Sequence, residues 1–164
     1  MGTDLLGLCA PQPLTADHQV DTFGCGEHPI DQWLRTHALT NQVGGYSRTF
    51  VVCADVTRVV GFYCLSAGSV DCKLASFPQA PKQVPVVVLG RLGVTREYQS
   101  RGLGGFLVRD ALLRAQGLTG DIGVRAMLVH ALHSDVARWY TDLGFDPSPS
   151  EPLTLMRRLE LPGG

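Results

Sequence analysis

The residues from Gln99 to Gly105 read Gln-Ser-Arg-Gly-Leu-Gly-Gly and open directly into a helix-forming run. Three glycines and an arginine at that spacing suit one chemistry above others, the holding of an anion by backbone amides. Glycine lets main chain approach a ligand closely, and the first N–H groups of a helix have no partner within it. The amides of residues 101 to 105 are therefore candidates to face a pyrophosphate. Two phosphate-binding templates fail here. No lysine stands where GxxxxGK[ST] requires it, and a GxGxxG fingerprint with an acidic ribose partner about 20 residues on is absent in register. What stands is Q-x-x-G-x-G. The competing reading is a strand-to-helix turn whose glycines merely fit.

Other reactive side chains are few. Tyr140, in Arg138-Trp139-Tyr140-Thr141-Asp142-Leu143-Gly144-Phe145, is either a proton donor or a core aromatic. His130 and His133 are alternative bases or ordinary surface histidines, and Glu97 reads as a turn residue. The five cysteines form no CxxC pair, which points to free thiols in a reducing compartment and to no structural metal.

The elements around the glycine turn follow from pattern. Val84 to Leu92 is an apolar strand, and the helix after the turn runs to Gly117, with Leu103, Leu107 and Ala111 on one face. Upstream, Glu27 to Val43 reads as one helix with Pro29 in its first turn. Strands follow at Tyr46 to Ala54 and Val59 to Val70, with a turn at Asp55 to Arg58. Leu5 to Cys9 is expected as a short edge strand, and 71 to 85 as an unpatterned loop. Downstream come a buried strand from Gly123 to Ala131, a helix over 135 to 143 capped by Ser134, a strand starting at Phe145, and a last strand from Leu153 to Leu161. The order predicts a mixed α/β domain, a mostly antiparallel sheet with helices on both faces.

A chain of 164 residues, 45% apolar and with formal net charge −1, is expected to form a single domain over 1–164. The near-neutral charge argues against indiscriminate binding to nucleic acid. No signal-peptide pattern or membrane-length apolar run occurs, so the cytoplasm is the expected location and no membrane association is expected.

The glycine turn and its setting resemble motif A of the GNAT N-acetyltransferases, where Q/R-x-x-G-x-G/A binds the pyrophosphate of acetyl-CoA. The resemblance implies the GNAT acyl-CoA N-acyltransferase fold over nearly the whole chain. It implies a coenzyme site made of Leu92, Gly93 and Val94 on the strand and Gln99, Ser100, Arg101, Gly102, Leu103, Gly104 and Gly105 in the turn. Leu92 and Val94 would offer backbone groups to the pantetheine arm and acetyl carbonyl, and an N–H near Val94 would serve the oxyanion. Gly93 departs from the alanine expected there. Tyr140 matches the tyrosine that many members place beside the coenzyme sulfur, which makes it the candidate acid.

Further blocks are similar to one subgroup, the TacT-like acetyltransferase toxins of type II toxin–antitoxin pairs. They are Phe23-Gly24-Cys25-Gly26 with Asp31-Gln32-Trp33-Leu34, Tyr46-Ser47-Arg48-Thr49, Leu65-Ser66-Ala67-Gly68, Leu89-Gly90-Arg91-Leu92, Leu128-Val129-His130-Ala131, and Gly144 to Pro149. The subgroup implies acetylation of the α-amine of the amino acid on charged tRNA, and arrest of translation. It also implies a ribbon-helix-helix antitoxin, operator DNA reached only through that antitoxin, and a homodimer. Arg48, Arg91, Arg96, Arg35 and Trp33 become the tRNA-contact candidates, and no metal is expected. The alternatives are acetylation of a small amine or a protein N-terminus, and a binding protein without catalysis.

Overall fold

The computed structural model describes residues 3–4, 7–75 and 77–163. Hydrogen bonding orders seven strands as β3-β4-β5-β6-β7-β9-β8, with β1 (Thr3–Asp4) and β2 (Leu8–Cys9) as a separate antiparallel pair. Of the expected edge strand at Leu5 to Cys9, Leu8–Cys9 forms β2, and residues 5 and 6 lie outside the described residues. The sheet is mixed and mostly antiparallel, as the pattern predicts. The chain forms two compact units, residues 1–66 with 91–111 and residues 67–90 with 112–164.

In the first unit, β3 (Gln12–Pro13) pairs antiparallel with β4 (Arg48–Ala54), and β4 with β5 (Arg58–Asp71). Pro13 can join because β3 is the last strand on its side and needs to donate nothing outward. Alternation along β5 separates two helical layers. A methyl group added to Gly61 would meet Leu103 and Leu107 of α3 (Leu103–Gln116), both at 3.2 Å. The next residue, Phe62, is buried with Leu34 and Ala38 of the N-terminal helices. Successive strand residues face opposite ways, so α3 and those helices cover opposite faces of β5. Leu103, Leu107, Val108, Ala111 and Ala115 are buried at helical spacing, while Leu113 points outward.

The helix expected over 27 to 43 is two helices, α1 (His28–Thr36) and α2 (Ala38–Val43), with Pro29 in the first turn as expected. His37 leaves helical geometry at φ −124° and ψ −27°. Gln42 of α2 bridges the end of β3 and the start of β4. Its Nε2 donates to the Leu14 carbonyl at 2.7 Å, and its Oε1 accepts from the Thr49 N–H at 2.9 Å.

In the second unit, β6 (Gln83–Val94) pairs in parallel with β7 (Ala126–His130), from Val86 opposite Ala126 to Leu89 opposite Val129. β7 then pairs antiparallel with β9 (Thr154–Arg158), and β9 with β8 (Asp146–Pro147). The segment expected as loop from 71 to 85 holds a short turn at Cys72–Leu74 and yields to β6 at Gln83. Val86, Ala126, Leu128 and Met156 form this unit's core, with Leu74 and Phe77 packed on it. Ser134 is the first residue of α4 (Ser134–Asp142), not its cap; His133 holds the cap position, and its side chain does not cap the helix.

One turn stores strain. Asp55 and Val56 have φ of 53° and 75° at the β4–β5 connection. A β-branched side chain in the left-handed region costs about 1–2 kcal/mol, and Val56 is 76% exposed, so it has little packing to lose. Replacing Val56 by Asn, which tolerates that conformation, is expected to stabilise the fold by about 1 kcal/mol. Urea unfolding should show a higher midpoint at unchanged slope; an unchanged or lower midpoint would refute the strain.

Candidate active site

β6 ends at Val94, a short 3-10 turn covers Arg96–Tyr98, and α3 begins at Leu103. Between them Ser100 and Gly102 take positive φ, 62° and 86°. Left-handed residues at alternate positions turn successive amides toward one side, the geometry of an anion nest. The first bond of the helical ladder runs from the Phe106 N–H to the Gly102 carbonyl at 3.1 Å. The N–H groups of Leu103, Gly104 and Gly105 precede it and have no carbonyl one helical turn behind them. Nothing lies within 4 Å of a Cβ built on Gly102, so the cradle is open there. Arg101 is exposed beside it, its guanidinium 5.2 Å from the centre of the Tyr98 ring. The residues present thus fit a bound pyrophosphate.

The side chain of Gln99 points elsewhere. Nε2 donates to the carbonyls of Cys25 at 2.7 Å and Val94 at 2.8 Å, which uses both amide hydrogens. Gln99 therefore builds the cradle instead of filling it. Gly93 is buried in β6, and an added methyl would lie 3.1 Å from Ile30, 3.2 Å from Phe23 and 3.3 Å from Phe62. This contact explains glycine at a position where alanine was expected.

The basic candidates sit in the same unit but do different work. Arg91, exposed on β6, lies with its guanidinium 5.1 Å from the centre of the Trp33 ring, and Trp33 stacks on Phe62 at 6.3 Å and 12°. Trp33 is thus half-buried packing that carries an arginine. Arg35 donates from Nη1 to the Phe23 carbonyl at 2.8 Å. Arg48 opens β4 and Arg96 the 3-10 turn, both exposed.

In the second unit, Tyr140 on α4 is buried, its ring edge-on to Trp139 at 4.9 Å and to Phe145 at 5.4 Å. The end of α4 is fixed around it. Gly144 has φ 95°, the N–H groups of Leu143 and Phe145 both donate to the Tyr140 carbonyl, and Arg157 Nη1 donates to the Leu143 carbonyl at 2.7 Å. A side chain on Gly144 would meet Arg157 Nη1 at 2.9 Å. His130 Nδ1 lies 3.1 Å from Thr154 Oγ1, and His133 is exposed.

Thiol chemistry is disfavoured at the two cysteines with shifted acidity. Burial, then the bond to Asp31, pushes the Cys25 thiol up to about 12, and burial pushes Cys53 up to about 11. Both stay protonated at neutral pH and are poor nucleophiles. Among the described residues, no group of three or more His, Cys, Asp or Glu is placed to hold a metal ion.

Two contributors were not singled out in the sequence. Buried Thr95 exchanges hydrogen bonds with Gly24, accepting its N–H at 3.1 Å and facing its carbonyl at 3.3 Å. Buried Asp31 accepts the Cys25 N–H at 2.9 Å. Seventy-one positions separate Thr95 from Gly24, and no local pattern reports such a pairing. The traces were the Phe23-Gly24-Cys25-Gly26 and Asp31-Gln32-Trp33-Leu34 blocks, which carried no role for Gly24 or Asp31.

Comparison with known proteins agrees with this geometry. The acetyltransferase (GNAT) domain family matches residues 46–147. The chain is similar to a tRNA-acetylating toxin of Mycobacterium tuberculosis (strain ATCC 25618 / H37Rv), 45% identical over 153 residues, 92% of this chain and 92% of that protein. Its fold superimposes on AtaT complexed with acetyl-methionyl-tRNAfMet with TM-score 0.85 and 25% identity, over 92% of this chain and 94% of that one. A tyrosine-to-phenylalanine mutant of AtaT, bound to the C-terminus of the antitoxin AtaR and to acetyl-CoA, gives TM-score 0.79 and 28% identity over 92% of each chain.

Gly102→Ala tests the nest. The space is open, so the substitution acts through backbone strain alone, about 1–2 kcal/mol. The affinity for inorganic pyrophosphate, measured by calorimetry, should fall about tenfold. Unchanged affinity would place the anion elsewhere.

Proposed function

The chain belongs to the acetyltransferase (GNAT) family, and from that premise we propose that it moves the acetyl group of acetyl-CoA to the α-amine of the amino acid on a charged tRNA. The observation that carries the reading is the Ser100–Gly105 nest at the head of α3, continuous with β6. Acetyl-CoA, when bound, supplies an activated acetyl thioester. The first-turn amides of α3 hold its pyrophosphate, with Arg101 adding charge. The backbone of Leu92 and Val94 aligns the acetyl end. Because the Val94 carbonyl is already engaged by Gln99, the N–H is the group Val94 has to offer. It is placed in the role of polarising the acetyl oxygen.

Few proton transfers remain. The α-amine of an aminoacyl ester is less basic than a lysine side chain and reaches its neutral form without a strong base. Tyr140 gives its phenolic proton to the departing thiolate. Arg48, Arg91 and Arg96 contact tRNA phosphates, with Trp33 and Arg35 holding the surface that presents Arg91 and α1.

Acetylation removes the amine that peptide bond formation needs, so the protein acts as a toxin in the cytoplasm. Among the described residues no helix is long and apolar enough to cross a membrane. Its partners in this reading are a ribbon-helix-helix antitoxin, operator DNA through that antitoxin, and a second copy of the chain.

The purified protein with acetyl-CoA is expected to arrest cell-free translation, and Tyr140→Phe to lower turnover at least about a hundredfold with acetyl-CoA affinity kept. Translation that continues in the presence of wild-type protein and acetyl-CoA would overturn the toxin reading. Full turnover by Tyr140→Phe would remove Tyr140 from the acid role.

A further inference from the structure

The side chain of Gln99, at the start of the glycine turn, joins the end of β6 through the Val94 carbonyl to the 23–26 loop, 74 positions away, through the Cys25 carbonyl. Thr95 and the Arg96 N–H reinforce the link to the loop at Gly24, the latter donating to its carbonyl at 2.9 Å. The loop in turn is bonded to α1. Asp31 accepts the Cys25 N–H at 2.9 Å, and Arg35 donates to the Phe23 carbonyl at 2.8 Å. An unbroken hydrogen-bonded path therefore runs from the nest to the helix that carries Trp33, on which Arg91 rests.

From this path we propose that Gln99 is a positioning residue, and that its carboxamide registers the 23–26 loop and α1 against the donor strand. This rests on the reading above, in which the nest holds the acetyl donor and α1 belongs to the surface that receives charged tRNA. The chemistry favours a carboxamide here. Two carbonyl oxygens converge on one nitrogen, so the site demands a group with two N–H donors and no acceptor pointed at them. A carboxylate would face both oxygens with like partial charge. An arginine, with several N–H donors in a planar fork, can satisfy both.

Gln99→Met keeps length and lacks both donors; Gln99→Arg restores donors. Gln99→Met should weaken acetyl-CoA binding by much less than it lowers kcat on charged tRNA, which should fall at least about tenfold, a factor that corresponds to about 1.4 kcal/mol. It should also speed amide hydrogen exchange at Cys25 and Arg96, whose N–H groups the latch holds. Gln99→Arg should return both readouts toward wild type. Exchange at Cys25 and Arg96 that stays at the wild-type rate in Gln99→Met would overturn the latch. So would a loss of acetyl-CoA affinity as large as the loss of turnover, since Gln99 would then serve the nest alone. If wild-type protein does not acetylate charged tRNA, the functional reading fails, while the exchange comparison still decides whether the latch exists.

Discussion

A backbone that binds an anion cannot also satisfy itself. To hold the proposed pyrophosphate, the chain between Val94 and Gly105 must leave N–H groups open to it while carbonyls that would repel it are tied down. The structure divides the labour in that way. Gln99 engages the carbonyl of Val94, Phe106 engages that of Gly102, and Ser100 and Gly102 bend backward into left-handed geometry so that the amides of the first helical turn stay uncommitted. Thr95, the 23–26 loop and Asp31 of α1 hold this short connection in place.

The supporting frame works from two directions. Beneath the nest, α3 lies close against β5 because Gly61 has no side chain to keep Leu103 and Leu107 away. Above it, α1 presses on β6 because Gly93 has none to obstruct Ile30 and Phe23. A methyl group at either position would crowd its neighbours at 3.1–3.3 Å, so that they would have to give by a few tenths of an ångström. The second unit solves a separate problem with similar means. Arg157 and Gly144 fix the end of α4, and Phe145 and Trp139 clamp the Tyr140 ring edge-on. A buried phenol held by two aromatic edges keeps its orientation, as the acid role proposed for Tyr140 requires.

Much of this was legible from the residues. Gln99 to Gly105 announced an amide cradle because glycine spacing and helix onset are local properties, and the strands followed from alternation and β-branched runs. What resisted was non-local. The break at His37 accompanies a bond from Gln42 to the carbonyl of Leu14, a contact with a segment 28 residues away. Trp33 has the chemistry to stack on a base, but its helical spacing favours packing; which partners meet its ring, Phe62 and Arg91, no local pattern reports. Gln99 was legible as a motif residue, but the destination of its side chain was not. Assignment of charged tRNA as acceptor came from resemblance to a toxin subgroup and not from charge, since a net charge of −1 gives no hint of an RNA ligand.

The central claim is the identity of the acceptor. Its most direct test is mass spectrometry of total charged tRNA after incubation with the purified protein and acetyl-CoA. The account predicts one acetyl group on the α-amine of the amino acid carried by one or a few tRNA species. Charged tRNA left unmodified while a small amine or a protein N-terminus gains the acetyl group would contradict it.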